Sequence, residues 1–396
     1  MIFLGNMYEL TDVSKPVGLV LREWTKTYGK VYGIQEGLRR TIVISDVEMI
    51  RELFIKKFDY FYGRKSNIIG GDVEKDSRVH VFEAQGVRWK RLRAISSPAF
   101  SSGSLKKEFT MDVISRIAMG QQGSQMFKDK RKVATMDSVT KHLTREEIAA
   151  QCFVFLLAGF DTTATSLAFV TYLLAKNPRV QQILQEEIDQ HCNSDSETIN
   201  YETLSSMKYL DSVMKESLRI YPLAVIANSR RCMKSTTLGP IRVEEGEFVI
   251  ADTMSLHFDR DLWGDDAEEF RPERLLLVLE SLPKQKFWYL IQYLRRGIAN
   301  HHKRQEFDKR LFRWTESTER SSAAFLSFGL GPRQCIGMRL AHMEEKLVLA
   351  HLLRRYDIIA TNDTEVILLF VLLRFSVVVF AGYKSSSISL ATSVLN

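Results

Sequence analysis

The chain is poor in cysteine. Only Cys152, Cys192, Cys232 and Cys335 occur in 396 residues, far apart and with no CxxC pair, which excludes a disulfide framework and a zinc ribbon and makes a reducing compartment the default. An apolar leader is also lacking, because the start MIFLGNMYELTDVSKP turns polar after a few residues; neither a secretory signal nor an N-terminal anchor is expected. There is no Walker loop and no dinucleotide fingerprint, and the basic segments lack the interleaved aromatics of a nucleic-acid platform, so no nucleic-acid partner is expected. The histidines show no metal-ligand spacing. His301 and His302 are adjacent, while His342 and His351 share one predicted helix without cysteine partners, and all read as surface or packing residues. No repeat or low-complexity tract stands out. A net charge of +7 suits an acidic partner or an anionic membrane surface without requiring either.

What is present is a globular composition, 45% hydrophobic, with enough chain for one large core or two modest domains. Two apolar stretches compete as membrane spans, 366–381 with Arg374 inside it and 148–175 with Asp161 inside it; both read as segments of a soluble fold. The pattern predicts a helix at 24–30, a hairpin around Gly37, a helix at 46–57, and a very basic helix from Gln85 that ends before Pro98. The clearest helix begins at Thr144, which forms a Thr-x-x-Glu capping box with Glu147, and stops at Asn177-Pro178, roughly 50 Å further on. Helices at 179–191 and 207–220, short strands within 241–251, a turn-rich stretch HFDRDLWGDDAEEFRPER, a basic helical stretch at 275–320 and a last helix near 336–353 complete the pass.

Four constellations carry chemistry. In FGLGPRQCIG, residues 328–337, a single cysteine sits in a glycine-punctuated loop that opens an apolar helix. Gly329, Gly331 and Gly337 permit backbone turns and close approaches that a Cβ would block, so a flat cofactor could lie against the main chain. The loop N–H groups would stabilise a thiolate at Cys335, and Arg333 could supply a cation to it or bind a cofactor carboxylate. An inert buried cysteine is the ordinary reading of a lone Cys, but the surrounding loop speaks against it. The second constellation, Ala158-Gly159-Phe160-Asp161-Thr162-Thr163, places an acid and two hydroxyls inside a long apolar helix, where hydroxyl back-bonding would open the helix for a small ligand; a kinked core helix with a satisfied Asp is the alternative. The third is Glu216 with Arg219, three apart on one helical face, and the fourth is Trp89 with Arg93, four apart on the basic helix. Either arginine could equally be a solvated charge.

The run Phe-x-x-Gly-x-Arg-x-Cys-x-Gly, from Phe328 through Arg333 and Cys335 to Gly337, resembles the cysteine-ligand loop of the cytochrome P450 family. The resemblance runs from Gly5 to about Val366 and is nearest to the animal microsomal class that includes thromboxane synthase and the drug-oxidising enzymes. It implies a mainly α fold with small β-sheets, the haem-thiolate fold, binding haem b through a Cys335 thiolate. Asp161 and Thr162 match residues that deliver protons to bound dioxygen. Trp89, Arg93, Arg333 and, in NSRRC, Arg230 with Arg231 as the adjacent alternative match groups that hold haem propionates, with Phe328 and Gly337 completing the cofactor site. Glu216, Arg219 and the Arg274 of FRPER match a buried structural triad. The implied reaction inserts one oxygen atom into a small lipophilic substrate. Electrons would come from NADPH through NADPH-cytochrome P450 reductase, docked near Lys90 and Arg91, at the cytosolic face of the endoplasmic reticulum membrane. Three departures accompany the resemblance. A single domain over 1–365 has an internal deletion near 124–144, so most of the substrate-roof helices are missing; it has an insertion near 275–322; and 366–396 forms an atypical tail. Two other readings remain open here: a non-catalytic haem-binding remnant or unstable chain, and a helical membrane protein without haem.

Overall fold

The computed structural model describes residues 5–12, 15–65, 73, 75–102, 142–192, 199–276 and 321–360, with a short strand at 381–383. The deletion near 124–144, the insertion near 275–322, most of the 366–396 tail and the histidine pair at 301–302 fall almost wholly outside these residues.

The first layer is a small sheet with helices packed on it. Helix α1 (Met7–Leu10) and helix α2 (Val17–Tyr28) lead into the hairpin β1 (Val31–Glu36) and β2 (Arg39–Ile44), which turns at Gly37. Helix α2 starts earlier than the predicted 24–30 because Val17, Val20, Leu21 and Trp24 continue one apolar face at i, i+3, i+4 and i+7. Helix α3 (Val47–Arg51), capped by Asp46, runs on into a π-helical turn, and helix α4 (Gly86–Ser96) ends in a 3-10 turn that contains Pro98.

The long helix α5 (Arg145–Lys176) carries the expected capping box. It is followed by α6 (Pro178–His191), α7 (Tyr201–Ser206) and α8 (Lys208–Ile220). Next come the strands β3 (Ser229–Arg231), β4 (Thr236–Leu238), β5 (Ile241–Val243) and β6 (Phe248–Ala251). Helix α9 (Thr253–His257) leads into the stretch predicted as turns, which itself contains the short helix α10 (Arg260–Trp263); both form because Asp252 and Asp259 cap their first N–H groups. Helix α11 (Met338–Leu353) follows the cysteine loop, and β7 (Tyr356–Ile358) pairs with β8 (Ala381–Tyr383).

The main sheet has the order β1-β2-β6-β3, with β2 and β6 parallel and the outer pairs antiparallel. Strand β3 also bridges Gly63. A Cβ on Gly63 would lie 2.5 Å from Met233 Sδ and 2.9 Å from Arg231 Cβ, so this close passage requires glycine, and it brings the following Arg64 within electrostatic reach of Arg230.

Two cores hold the layers together. Val170, Leu174, Leu184, Leu210, Leu349 and Leu353 join the second half of α5 to α6, α8 and α11. Ile44, Ile50, Phe54, Phe61 and Leu326 join the sheet, α3 and the cysteine loop; each such side chain contributes roughly 1.5–3 kcal/mol on burial. The first half of α5 differs, for Phe153, Leu156, Leu157 and Phe160 are exposed along one face. Among the described residues α5 is the one helix long and apolar enough to cross a membrane by length and composition.

Candidate functional site

The arginines of this chain fall into two groups, separated by how completely their donors are used. Arg219 and Arg274 are saturated. Arg219 Nε and Nη2 donate to Glu216 at 2.9 and 2.8 Å, and its remaining donors reach the carbonyls of His257, Ala267 and Glu269. Arg274 Nε donates to Glu216 Oε1 at 2.6 Å, and its other donors reach Trp263 O, Asp266 O, Asp266 Oδ1 and Glu269 O. All three side chains of the triad are fully buried. A buried charge cluster persists when its donors are matched, and every guanidinium donor here is, so its work is to fix the chain around it.

The triad reaches the cysteine loop through a residue the sequence reading missed. His257 is fully buried. Its Nε2 accepts the Leu326 N–H at 2.9 Å and its Nδ1 lies 3.1 Å from Arg219 O. An amide must donate, so Nε2 carries the lone pair and Nδ1–H donates to Arg219 O. Burial first, and then the adjacent Arg219 charge, push this imidazole down to about 3, so it stays neutral. Leu326 O accepts from Asn228 Nδ2 and from Gly329 N–H, both at 2.9 Å, and Ser327 Oγ donates to Leu218 O at 2.8 Å. Gly329 and Gly331 both have φ of +72°, and a Cβ on Gly331 would fall 2.1 Å from Phe54 O, so the turn needs glycine there. Gly337 has an ordinary φ of −87°, and a Cβ on it would only touch Phe100 at 3.9 Å; nothing within the protein demands glycine at that position.

Cys335 lies at the end of this frame, with its N–H donating to Phe328 O at 2.8 Å. The residue is open to solvent, yet enough protein surrounds the sulfur that burial pushes its thiol up. The N–H groups of Gly337 and Met338 and the positive charges of Arg93 and Arg64 act the other way. Of the two roles open to Arg333, cation to the sulfur or partner of a cofactor carboxylate, its surroundings favour the second. It lies 4.4 Å over the Trp89 ring and donates to Ala84 O at 2.6 Å, because the 3-10 turn Gly331–Arg333 directs it toward α4. The cation that sequence reading missed is Arg64, for which the neighbouring residues give no signal.

Arg64, Arg230 and Arg333 form the second group, and they are starved of partners. Each hydrogen-bonds only to backbone carbonyls: Arg64 to Ala227 and Arg333, Arg230 to Ser229, and Arg333 to Ala84 and Phe82. Each leaves a buried Nε with no partner among the described residues. Burial, compounded by their neighbours' like charges, pushes Arg333 down to about 8 and Arg230 well below the usual arginine range; Arg64, pushed down to about 10 by burial, is partly relieved by Cys335. Since guanidinium does not lose its proton in proteins, this pressure measures a deficit of negative charge. Arg230 is 1% exposed while Arg231 beside it is exposed, so the strand turns Arg230 inward. Arg93 completes the group, with its charge near Cys335. Orphaned donors on three mutually repelling arginines, one of which, Arg64, acts on the Cys335 sulfur, fit a cofactor that carries carboxylates near a metal.

Helix α5 places Asp161 and Thr162 in its half-exposed middle. The helix stays continuous there, contrary to the predicted opening: Thr162 Oγ1 donates to Ala158 O at 2.5 Å without displacing the backbone ladder. Thr163 Oγ1 is a buried hydroxyl without a partner, and a Cβ on Gly159 would meet nothing. A further correction concerns the docking pair. Arg91 is bound to Glu147 and to His142 O, and Arg88 Nε reaches Glu147 at 3.2 Å; these cations tie α4 to the N-terminus of α5, where the capping carboxylate draws them in, and only Lys90 stays exposed. His342, read as ordinary packing, has a buried Nδ1 without a partner and a ring 4.9 Å from Phe328.

Comparison with known proteins agrees with this chemistry. The cytochrome P450 family model matches residues 1–121, 120–288 and 301–377. Similar proteins from Caenorhabditis elegans include cytochrome P450 CYP13A10, 37% identical over 495 aligned positions that take in 92% of this chain and 88% of that protein. CYP13A1 is 36% identical over 494 positions with the same coverage, and cyp-13B1 is 34% identical over 490. The aligned positions outnumber the 396 residues of the chain, so these relatives have stretches without a counterpart here. With a family match across most of its length, and a cysteine loop braced by a saturated triad, the chain belongs to the cytochrome P450 family, haem-thiolate monooxygenases that draw on dioxygen and a redox partner.

Proposed function

We propose that Cys335 is the thiolate ligand of haem b in this chain and that Arg64, Arg93, Arg230 and Arg333 hold its propionates. The observation that carries this reading is the three buried guanidiniums with orphaned Nε atoms, which a pair of carboxylates would satisfy with charge-assisted bonds. Trp89 stacks beneath Arg333 and sets its height, Phe328 fixes the Cys335 amide, and the bare face of Gly337 leaves room for a flat ring. When bound, the haem supplies dioxygen binding, with the thiolate favouring O–O cleavage. Asp161 would take up protons from solvent, and Thr162 Oγ1, once turned away from Ala158 O, would relay them by giving up its own hydrogen toward the cofactor side as it receives another.

The substrate is a small lipophilic molecule, in keeping with the apolar face that Phe153, Leu156, Leu157 and Phe160 give to α5. Electrons come from an NADPH-dependent cytochrome P450 reductase whose acidic surface meets Lys90, at the cytosolic face of the endoplasmic reticulum membrane. The chain is one domain over 1–365, with its roof shortened near 124–144, an insertion near 275–322 and an atypical tail at 366–396. The exposed face of α5 also favours a second reading, a haem-binding chain with little productive turnover, because an open pocket leaks protons and releases peroxide. Peroxide accounting for nearly all the NADPH consumed, across lipophilic substrates, would select that reading.

Binding of haem and of its dimethyl ester tests the arginine assignment. The reading predicts that the ester, which lacks both negative charges, binds at least about a hundredfold more weakly, since two charge-assisted bonds contribute about 1.5–3 kcal/mol each. Equal affinity for the two would refute it.

A further inference from the structure

We infer that His257 is a positioning residue for the metal ligand: as a neutral strut it transmits the rigid frame of the Glu216 triad to the loop that presents Cys335. This rests on the reading of Cys335 as the iron ligand, and it adds a residue that neither coordinates nor touches the cofactor. The connection is continuous. Arg219, whose side chain is saturated by the triad, accepts through its carbonyl from His257 Nδ1–H. His257 Nε2 accepts the Leu326 N–H, and Leu326 O receives Gly329 N–H, which starts the left-handed turn. Phe328 O, between those two, holds the Cys335 N–H. The imidazole has no freedom to leave this position, because its ring stacks on Phe325 at 5.5 Å and 8° and meets Trp263 edge-on at 6.4 Å. Helix α9 delivers it there through the Asp252 cap, so the register of a five-residue helix is read out at the base of the cysteine loop.

The two bonds of the strut can be separated by substitution. In His257→Gln the amide oxygen reaches the position of Nε2 and keeps an acceptor for Leu326 N–H. In His257→Asn the shorter side chain keeps a donor toward Arg219 O but leaves Leu326 N–H without its acceptor. The full chain, expressed with haem, is reduced under carbon monoxide, and the fraction with a thiolate-type Soret band is recorded for wild type, both variants and Cys335→Ala. The strut predicts that His257→Gln stays near wild type while His257→Asn lowers the ratio of thiolate-ligated to unligated haem about tenfold, equivalent to about 1.4 kcal/mol. Hydrogen exchange of amides 326–335 in the haem-free chain should show the same tenfold contrast, and this readout does not depend on the iron ligand. Equal behaviour of Gln and Asn in both measurements overturns the strut, as does loss of a cooperative melt in His257→Gln. If wild type shows no thiolate band but the exchange contrast holds, the ligand assignment fails and the loop-positioning role of His257 stands.

Discussion

Replacing Arg230 by methionine should stabilise the haem-free chain and weaken the haem-bound one, a reversal of sign that follows from the arginine's surroundings. In the protein alone Arg230 is 1% exposed, donates once to Ser229 O, leaves Nε unmatched, and feels the positive charges of Arg64 and Arg333. Its guanidinium lies 4.3 Å over the Phe54 ring, which returns only about 1–2 kcal/mol. Methionine is flexible enough to fill the vacated space against Phe54, and exchanging a poorly paired buried charge for an apolar side chain typically stabilises by about 1–4 kcal/mol. With a propionate bound, the same change removes a charge-assisted hydrogen bond of about 1.5–3 kcal/mol, roughly a 10- to 150-fold loss in haem affinity. Denaturant melts of both proteins, with and without saturating haem, measure the two effects in one series. A methionine variant that melts earlier than wild type in the absence of haem would refute the reasoning, since it would mean that Arg230 is already compensated within the protein.

The triad should behave in the opposite way. Glu216→Gln strands two saturated guanidiniums without an anion, at an expected cost of about 3–5 kcal/mol with or without haem, read from the same melts. Gly331→Ala forces a left-handed residue and a Cβ 2.1 Å from Phe54 O; the backbone alone costs about 1–2 kcal/mol, and haem uptake should fall with it. Glu345 is buried, and burial, eased by Ser166 and reinforced by Glu344, pushes its carboxyl up from 4.5 to about 7. The folded chain therefore keeps a proton that the unfolded chain releases above 4.5, so stability declines between pH 4.5 and 7 by about 3 kcal/mol and then levels off. Burial likewise pushes Glu344 up to about 7, so Glu345→Gln should remove its own share of the decline in pH-resolved melts and leave the share of Glu344. Lys90→Glu should slow reductase-supported turnover without altering the melt, whereas Arg91→Glu should lower the melt itself because it breaks the link to Glu147.

The parts of this molecule legible in the sequence are those whose cause is local. The capping box at Thr144 and Glu147, the Gly37 hairpin and the Pro178 helix stop each follow from a few neighbouring residues. The cysteine loop was legible because its glycines, arginine and cysteine are contiguous. What escaped depends on residues distant in the chain. Nothing near Arg64 reveals that Gly63 passes under β3 toward Arg230, and His257 lies in a stretch whose composition reads as turns, although it bonds to Arg219 and Leu326, 38 and 69 positions away. The engagement of Arg91 was illegible for the same reason: it is decided by Glu147, 56 residues on.

Cys335 is the centre of the account, and the reduced, carbon-monoxide-bound spectrum of haem-loaded chain beside Cys335→Ala tests it most directly. Wild type should show a thiolate-type Soret band that is lost in the variant, while the propionate arginines let the variant retain some haem. A thiolate-type band that persists in Cys335→Ala, or a wild-type chain that takes up no haem at all, would contradict it.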